Sequence, residues 1–163
     1  MINTNKLKQD INDRFILIAP DGGSLKKIYK LAEQIGYKGD IITCNKDRDV
    51  GGNLTKIFVP VSPHYSDSLK DHIIIDDICD GGATFINIAK YLKEKYSNMN
   101  DENMKGKIYL IVTHSIFSKG FSELSKYFDG IYCTNSYSDL KFHPSINDII
   151  GPSEKLVKQL NVF

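Results

Sequence analysis

At 163 residues the chain is one domain's worth of protein, long enough to bury a core without disulfides or a structural metal. A composition of 41% hydrophobic and 25% charged residues with a formal net charge of +1 excludes a general electrostatic pull toward nucleic acid. No basic block, apolar signal core or membrane-length run occurs, so neither nucleic acid nor membrane is an expected partner. Cys44, Cys79 and Cys133 are scattered and lack ligand spacing, which reads as reduced thiols of a cytoplasmic protein.

The first regular element expected is the apolar run Phe15 to Ala19, stopped by Pro20-Asp21-Gly22-Gly23. From Ser24 the period changes. Leu25, Ile28, Leu31, Ala32 and Ile35 recur at helical spacing, and Gly36 is placed to end the helix. Asp40 to Cys44 predicts a second strand, and the polar segment from Asn45 to Asn53 predicts a mobile loop. Leu54 to Val59 alternates, as a less buried strand does. His72 to Asp76 is a buried strand, after which Phe85, Ile88, Ala89, Leu92 and Tyr96 form one face of a helix beginning near Ala83. Ile108 to Val112 is a further strand, Phe121, Leu124 and Phe128 mark a helix, and Gly130 to Thr134 is another strand. A last helix is expected over 152–160, with the tail 141–163 peripheral to a single domain covering 1–163.

Continuous apolar strands alternating with amphipathic helices predict a three-layer α/β/α fold around a mainly parallel sheet. Ligands of such sheets collect beyond the carboxyl ends of the strands. The polar clusters fall at those ends: Asp21-Gly22-Gly23, Lys46-Asp47-Arg48, Asp76 through Thr84, and Thr113-His114.

The richest of these is Asp76-Asp77-Ile78-Cys79-Asp80-Gly81-Gly82-Ala83-Thr84. Adjacent carboxylates leaving a strand point to opposite sides. One suits vicinal sugar hydroxyls; the other suits the loop or a hydrated magnesium ion. Gly81 and Gly82 let backbone amides turn toward an anion, and the helix start adds its positive dipole end. Thr84 offers a hydroxyl to a phosphate or serves as a cap. Taken alone, two acids ending a strand are ordinary solvated residues; joined to the glycine turn they describe a site for a phosphorylated pentose. A Lys-x-Arg pair such as Lys46 and Arg48 is likewise surface unless placed over a ligand, and His114 reads as a packed polar residue at a strand end.

The segment from Ile75 to Thr84 resembles the ribose-phosphate motif shared by type I phosphoribosyltransferases and ribose-phosphate pyrophosphokinases (PRPP synthetases). Ala19 to Lys27 is similar to the synthetase family's pyrophosphate loop, with Ser24 where a glycine is usual. Asn45-Lys46-Asp47-Arg48 resembles its catalytic flexible loop. Thr113-His114-Ser115 resembles its Thr-His-Gly segment, with serine for glycine, and Thr134-Asn135-Ser136 the strand end that follows. The resemblance spans residues 14 to 136, in the family's order, and is to the carboxyl-terminal half of enzymes built from two related halves.

It implies a phosphoribosyltransferase-like fold and transfer of diphosphate from ATP to ribose 5-phosphate, with Mg2+ as cofactor. Asp76, Asp77, Asp80, Gly81, Gly82, Ala83 and Thr84 would hold the sugar phosphate, and Asp76 and Asp77 the metal. Asp21, Gly22 and Gly23 would cradle diphosphate, and Lys46 and Arg48 would be catalytic. A partner chain, or assembly with copies of itself, would supply the missing half with its adenine pocket. Two other readings stay open: a phosphoribosyltransferase that joins PRPP to a nucleobase, its hood drawn from the tail after Lys141, and a non-catalytic phosphosugar-binding regulatory subunit, hinted at by Ser24 and Ser115.

Overall fold

The computed structural model describes residues 12–52, 54–61, 67, 69–97, 106–137 and 157–160. Its elements in chain order are β1 (Phe15–Ala19), α1 (Gly22–Ile35), β2 (Ile41–Thr43), β3 (Asn45–Arg48), β4 (Leu54–Phe58), β5 (Asp71–Cys79), α2 (Ala83–Ser97), β6 (Ile108–Ser115), a 3-10 turn (Leu124–Lys126), β7 (Gly130–Thr134) and β8 (Val157–Leu160). Six strands form one sheet in the order β2-β1-β5-β6-β7-β8, and every pairing in it is parallel. β3 and β4 form a separate antiparallel hairpin.

Burial follows from the pairing. β1 lies between β2 and β5, and Ile16, Leu17, Ile18 and Ala19 are all buried because a helix or the hairpin covers each face. On one face α2 buries Phe85, Ile88, Ala89, Leu92 and Tyr96 against Ile18, Ile74, Leu110 and Val112, the five helix residues expected from periodicity. On the other, α1 buries Ile28 and Ala32 against Leu17 and Ala19. Gly36 closes α1 in the left-handed region at φ 70°, as its position implied.

Several expectations are corrected. α1 begins at Gly22 rather than Ser24, because Asp21 caps it, and Ile35 ends up exposed at its last turn. Asn45 to Arg48 is a strand rather than a loop: its backbone pairs with Leu54–Phe58, whose neighbour Val59 is fully buried and whose Phe58 ring meets Tyr91 of α2 edge-on at 6.0 Å. Long-range pairing thus gives this polar segment the backbone partners its composition could not announce. β5 continues through the acidic pair to Cys79, since Asp76, Ile78 and Cys79 pair with Val112, His114 and Ser115 of β6. Between β6 and β7 the described residues make only the short 3-10 turn instead of a full helix, although Phe121, Leu124 and Phe128 are buried as anticipated. Finally, Val157–Leu160 is a strand beside β7, not the end of a helix. The rest of that expected helix, and the tail from Lys141 that was to form a base hood, lie outside the described residues apart from these four.

His72 sits fully buried in β5, its Nε2 3.2 Å from the Tyr96 hydroxyl, and burial pushes its imidazole down to about 4. The unfolded chain takes up this proton near pH 6.5, so the stability due to His72 is present above that value and drains away as pH falls toward 4. Asp76 acts in the opposite sense over the same range, its carboxyl being pushed up to about 6 by burial and by its neighbour Asp77. Comparing the native chain with His72→Phe isolates the histidine. Between pH 7 and pH 4 the native chain should lose about 3 kcal/mol more unfolding free energy than the variant. Parallel pH profiles from urea unfolding would rule this out.

Candidate functional site

The carboxyl ends of β1, β2, β5, β6 and β7 share one edge of the sheet, and the polar clusters meet there. At the end of β1, Asp21 caps α1. Its Oδ1 accepts from the amides of Gly23 (2.9 Å) and Ser24 (3.1 Å), while the Ser24 hydroxyl donates to the Asp21 carbonyl (2.9 Å). This reciprocal cap satisfies donors that the first helical turn leaves open. Ser24, at a position where the resemblance leads one to expect glycine, is therefore a buried member of the cap. In this arrangement the Gly23 amide is engaged by Asp21, and Gly22 stands open to solvent at the helix start.

Lys46 reaches the same point from the hairpin. Its Nζ lies 2.9 Å from Asp21 Oδ2, with its side chain only 12% exposed. Burial raises the Asp21 carboxyl, but the Lys46 ammonium and the Ser24 and Gly23 amides outweigh it and hold the group below the usual range. The backbone of Arg48 pairs with Leu54, and its side chain lies outside the described set.

In β5 the strand alternation carries Asp77 to the α1 face, where the Lys27 ammonium meets it. Lys27 first, then Asp76, pulls Asp77 below the ordinary carboxylate range. Asp76 goes the other way, pushed up to about 6, although its Oδ1 accepts from the Asp77 amide at 2.8 Å. Two adjacent acids in one strand thus differ in proton affinity. Asp77 is ionised at neutral pH, and Asp76 is poised nearer to it. A cleft of about 150 Å³ opens between α1 and β5, lined by Ser24, Lys27, Ile75, Asp76, Asp77 and Thr113 among others.

Beyond Cys79 the chain turns through Asp80-Gly81-Gly82 into α2. Gly82 has φ 75°, a backbone state that costs other residues about 1–2 kcal/mol. Its carbonyl accepts from Ile86 in the first turn of α2, whereas among the described residues nothing accepts a hydrogen bond from the amides of Gly81 and Gly82. Ala83 and Thr84 open the helix, Ala83 exposed and Thr84 half-buried, so the amides beside them lie at the positive end of a 15-residue dipole. Asp80 is exposed at the rim.

The ends of β6 and β7 are tied to one another. Thr134 Oγ1 donates to the Thr113 carbonyl at 2.8 Å, Ser136 Oγ lies 2.9 Å from both that carbonyl and His114 Nδ1, and Ser115 Oγ donates to the Thr134 carbonyl at 3.3 Å. His114 is thus held by Ser136, as a packed polar residue would be. Cys44 and Cys79 are buried and their thiols are pushed up to about 12, so they remain protonated neighbours of the site.

Among the described residues no group of three or more His, Cys, Asp or Glu gathers as a metal cage. The donor set present is two carboxylates on adjacent residues. That suits Mg2+, which keeps several waters and takes one or two carboxylates plus ligand phosphates. Two cations escaped the sequence reading. Lys27 faces Asp77 and feels Asp76 and Asp21 as well, and the stem of Lys119 crosses Gly81. Lys27 could be placed on α1 from periodicity, but nothing local shows that its turn of helix faces β5.

No protein-family model matches the chain. It is similar to the ribose-phosphate pyrophosphokinase of Mycoplasmopsis pulmonis, 31% identical over 127 residues that cover 77% of this chain and 36% of that protein. The one from Thermosipho africanus is 28% identical over 141 residues, covering 84% of this chain and 40% of the relative. The chain therefore spans less than half the length of these curated relatives. Among solved structures, phosphoribosylpyrophosphate synthetase from Mycobacterium smegmatis superimposes with a TM-score of 0.64 at 18% identity, over 98% of this chain and 45% of that one. The chain has the α/β, phosphoribosyltransferase-like fold of part of such a synthetase, and its sequence resembles part of a ribose-phosphate pyrophosphokinase. Among the described residues no helix is long and apolar enough to cross a membrane.

Proposed function

We propose that the chain takes part in transferring diphosphate from magnesium-bound ATP to ribose 5-phosphate, forming PRPP and AMP in nucleotide biosynthesis. The observation that carries this reading is the continuous unit from Asp76 to Thr84: paired acids in β5, a glycine turn with two amides that no described residue engages, and the start of α2. The acids accept from ribose hydroxyls, and the turn and helix start receive the 5-phosphate.

The C1 hydroxyl oxygen of the sugar attacks the β-phosphorus and its proton passes to solvent, while the bond from that phosphorus to the oxygen shared with the α-phosphate breaks and AMP leaves with that oxygen. Charge grows on non-bridging oxygens, so the protein's task is positioning and cationic stabilisation. Lys46 stands beside the helix start that carries Asp21, Gly22 and Gly23, and moves from Asp21 to the transferring group when diphosphate enters. Arg48 follows it on the same strand. Asp76 and Asp77 would hold Mg2+, which when bound would neutralise part of the diphosphate charge. On this reading the adenine pocket is completed by surfaces beyond this segment's own, a partner chain or further copies of it among them.

Two reactions test the proposal. Magnesium, ATP and ribose 5-phosphate should yield AMP. Release of diphosphate from PRPP only when a nucleobase is added would replace this reading with that of a phosphoribosyltransferase. Silence in both with measurable PRPP binding would make the chain a regulatory subunit. For the sugar loop, Asp77→Asn should weaken ribose 5-phosphate binding about 10- to 100-fold, the loss of one charged hydrogen bond worth roughly 1.5–3 kcal/mol. Equal affinities by calorimetry would remove Asp77 from the site.

A further inference from the structure

We infer that Lys119 is a phosphate-binding residue of this site, supplying the cation that the Asp80–Thr84 turn lacks. The inference rests on the sugar-phosphate reading and extends it to a side chain 35 residues beyond Thr84. A phosphomonoester near neutral pH carries between one and two negative charges. The turn offers amides and a helix dipole, yet its only charged side chain is the carboxylate of Asp80. Of the cations nearby, Lys27 and Lys46 already face carboxylates. Lys119 has no hydrogen-bond or ion-pair partner among the described residues.

Its placement is determined. A Cβ built on Gly81 would stand 3.4, 3.5 and 3.8 Å from Cε, Cδ and Cγ of Lys119, so the aliphatic stem lies along that glycine and ends one bond short of the ammonium. The segment carrying it is pinned to the end of β5: the amides of Ile116 and Phe117 both donate to the Cys79 carbonyl, at 3.1 and 3.0 Å. Phe117 has φ 46°, a state that a bulky residue keeps only when its surroundings over-determine it. Its ring is fully buried 4.6 Å from that of Phe121, and its carbonyl accepts from Gly120, itself at φ 67°. A rigid turn therefore presents an exposed lysine, unpaired among the described residues, across the face of the proposed phosphate loop.

The test is titration calorimetry with ribose 5-phosphate and, separately, unphosphorylated ribose, on the native chain, Lys119→Met and Lys119→Arg. Methionine keeps the stem and removes the charge. It should weaken ribose 5-phosphate binding about tenfold and flatten its salt dependence, with ribose affinity and melting temperature unchanged. Arginine should stay within about threefold of native. If the native chain binds ribose 5-phosphate and Lys119→Met binds it equally well with the same salt dependence, the role of Lys119 is overturned and the sugar site stands. If the native chain binds no ribose 5-phosphate, both fall.

Discussion

Lys46→Ala should abolish nearly all AMP formation from ATP and ribose 5-phosphate, lowering kcat by about 10³-fold or more, while the fold survives. The size follows from the chemistry. Arginine fingers aimed at the non-bridging oxygens of a transferring phosphoryl group contribute roughly 10³ to 10⁵ in rate, and a lysine in that place is expected near the lower end. Lys46 is suited to that task because its ammonium is largely shielded and is already at the helix start proposed to receive diphosphate, 2.9 Å from Asp21. Stability should change little, since Asp21 is nearly half exposed and an ion pair of that kind contributes at most about 1 kcal/mol. The Asp21 carboxyl, freed of its largest lowering influence, should titrate closer to an ordinary aspartate. Steady-state kinetics on a variant with an unchanged melting curve checks the expectation. Full activity would remove Lys46 from catalysis.

The largest structural effect is expected at Gly82→Ala. At φ 75° an added Cβ is strained on its own account, by about 1–2 kcal/mol. The same Cβ would lie 3.1 and 3.3 Å from Cδ2 and Cγ of Leu124, a buried residue of the 3-10 turn, adding a further overpacking cost of about 1 kcal/mol or more. A total destabilisation of about 2–4 kcal/mol is expected, together with weaker sugar-phosphate binding as the turn reorients its amides. Gly81→Ala is the control: its Cβ meets only the Lys119 stem at ordinary contact distance, and its effect on stability should be small. Urea unfolding of the two variants side by side decides the matter. Equal midpoints would show that the left-handed turn carries no special constraint.

Much of the architecture was readable where physics is local. Phe85, Ile88, Ala89, Leu92 and Tyr96 repeat with the helical period because one face of α2 must meet the sheet, and they are all buried. Ile16, Ile18, Ile74, Leu110 and Val112 belong to apolar strand runs and are buried on the face that α2 covers, whereas Ile111, on the other face of β6, stays 37% exposed among the described residues, so the run of β6 predicted more cover than it has. Gly36 and Gly82 sit at positive φ next to helix ends, where a side chain would be strained. The errors fell where pairing overrides composition. Asn45-Lys46-Asp47-Arg48 has no strand-like pattern and becomes β3 only because Leu54–Phe58 lies alongside. Val157–Leu160 looks helical by its apolar spacing and becomes β8 because the edge of β7 offers a row of backbone partners.

The chain by itself determined its succession of strands and helices and the acid–glycine–threonine turn, since propensity, periodicity and capping act between residues a few positions apart. Tertiary structure alone decided which charges meet. Lys27 finds Asp77 across 50 positions and Lys46 finds Asp21 across 25, while Lys119, on the turn that follows β6, settles on Gly81. Long side chains on separate elements have no local signature of their partners. Their encounters are set by strand order and by the direction in which each helix face turns, quantities that exist only once the sheet has assembled.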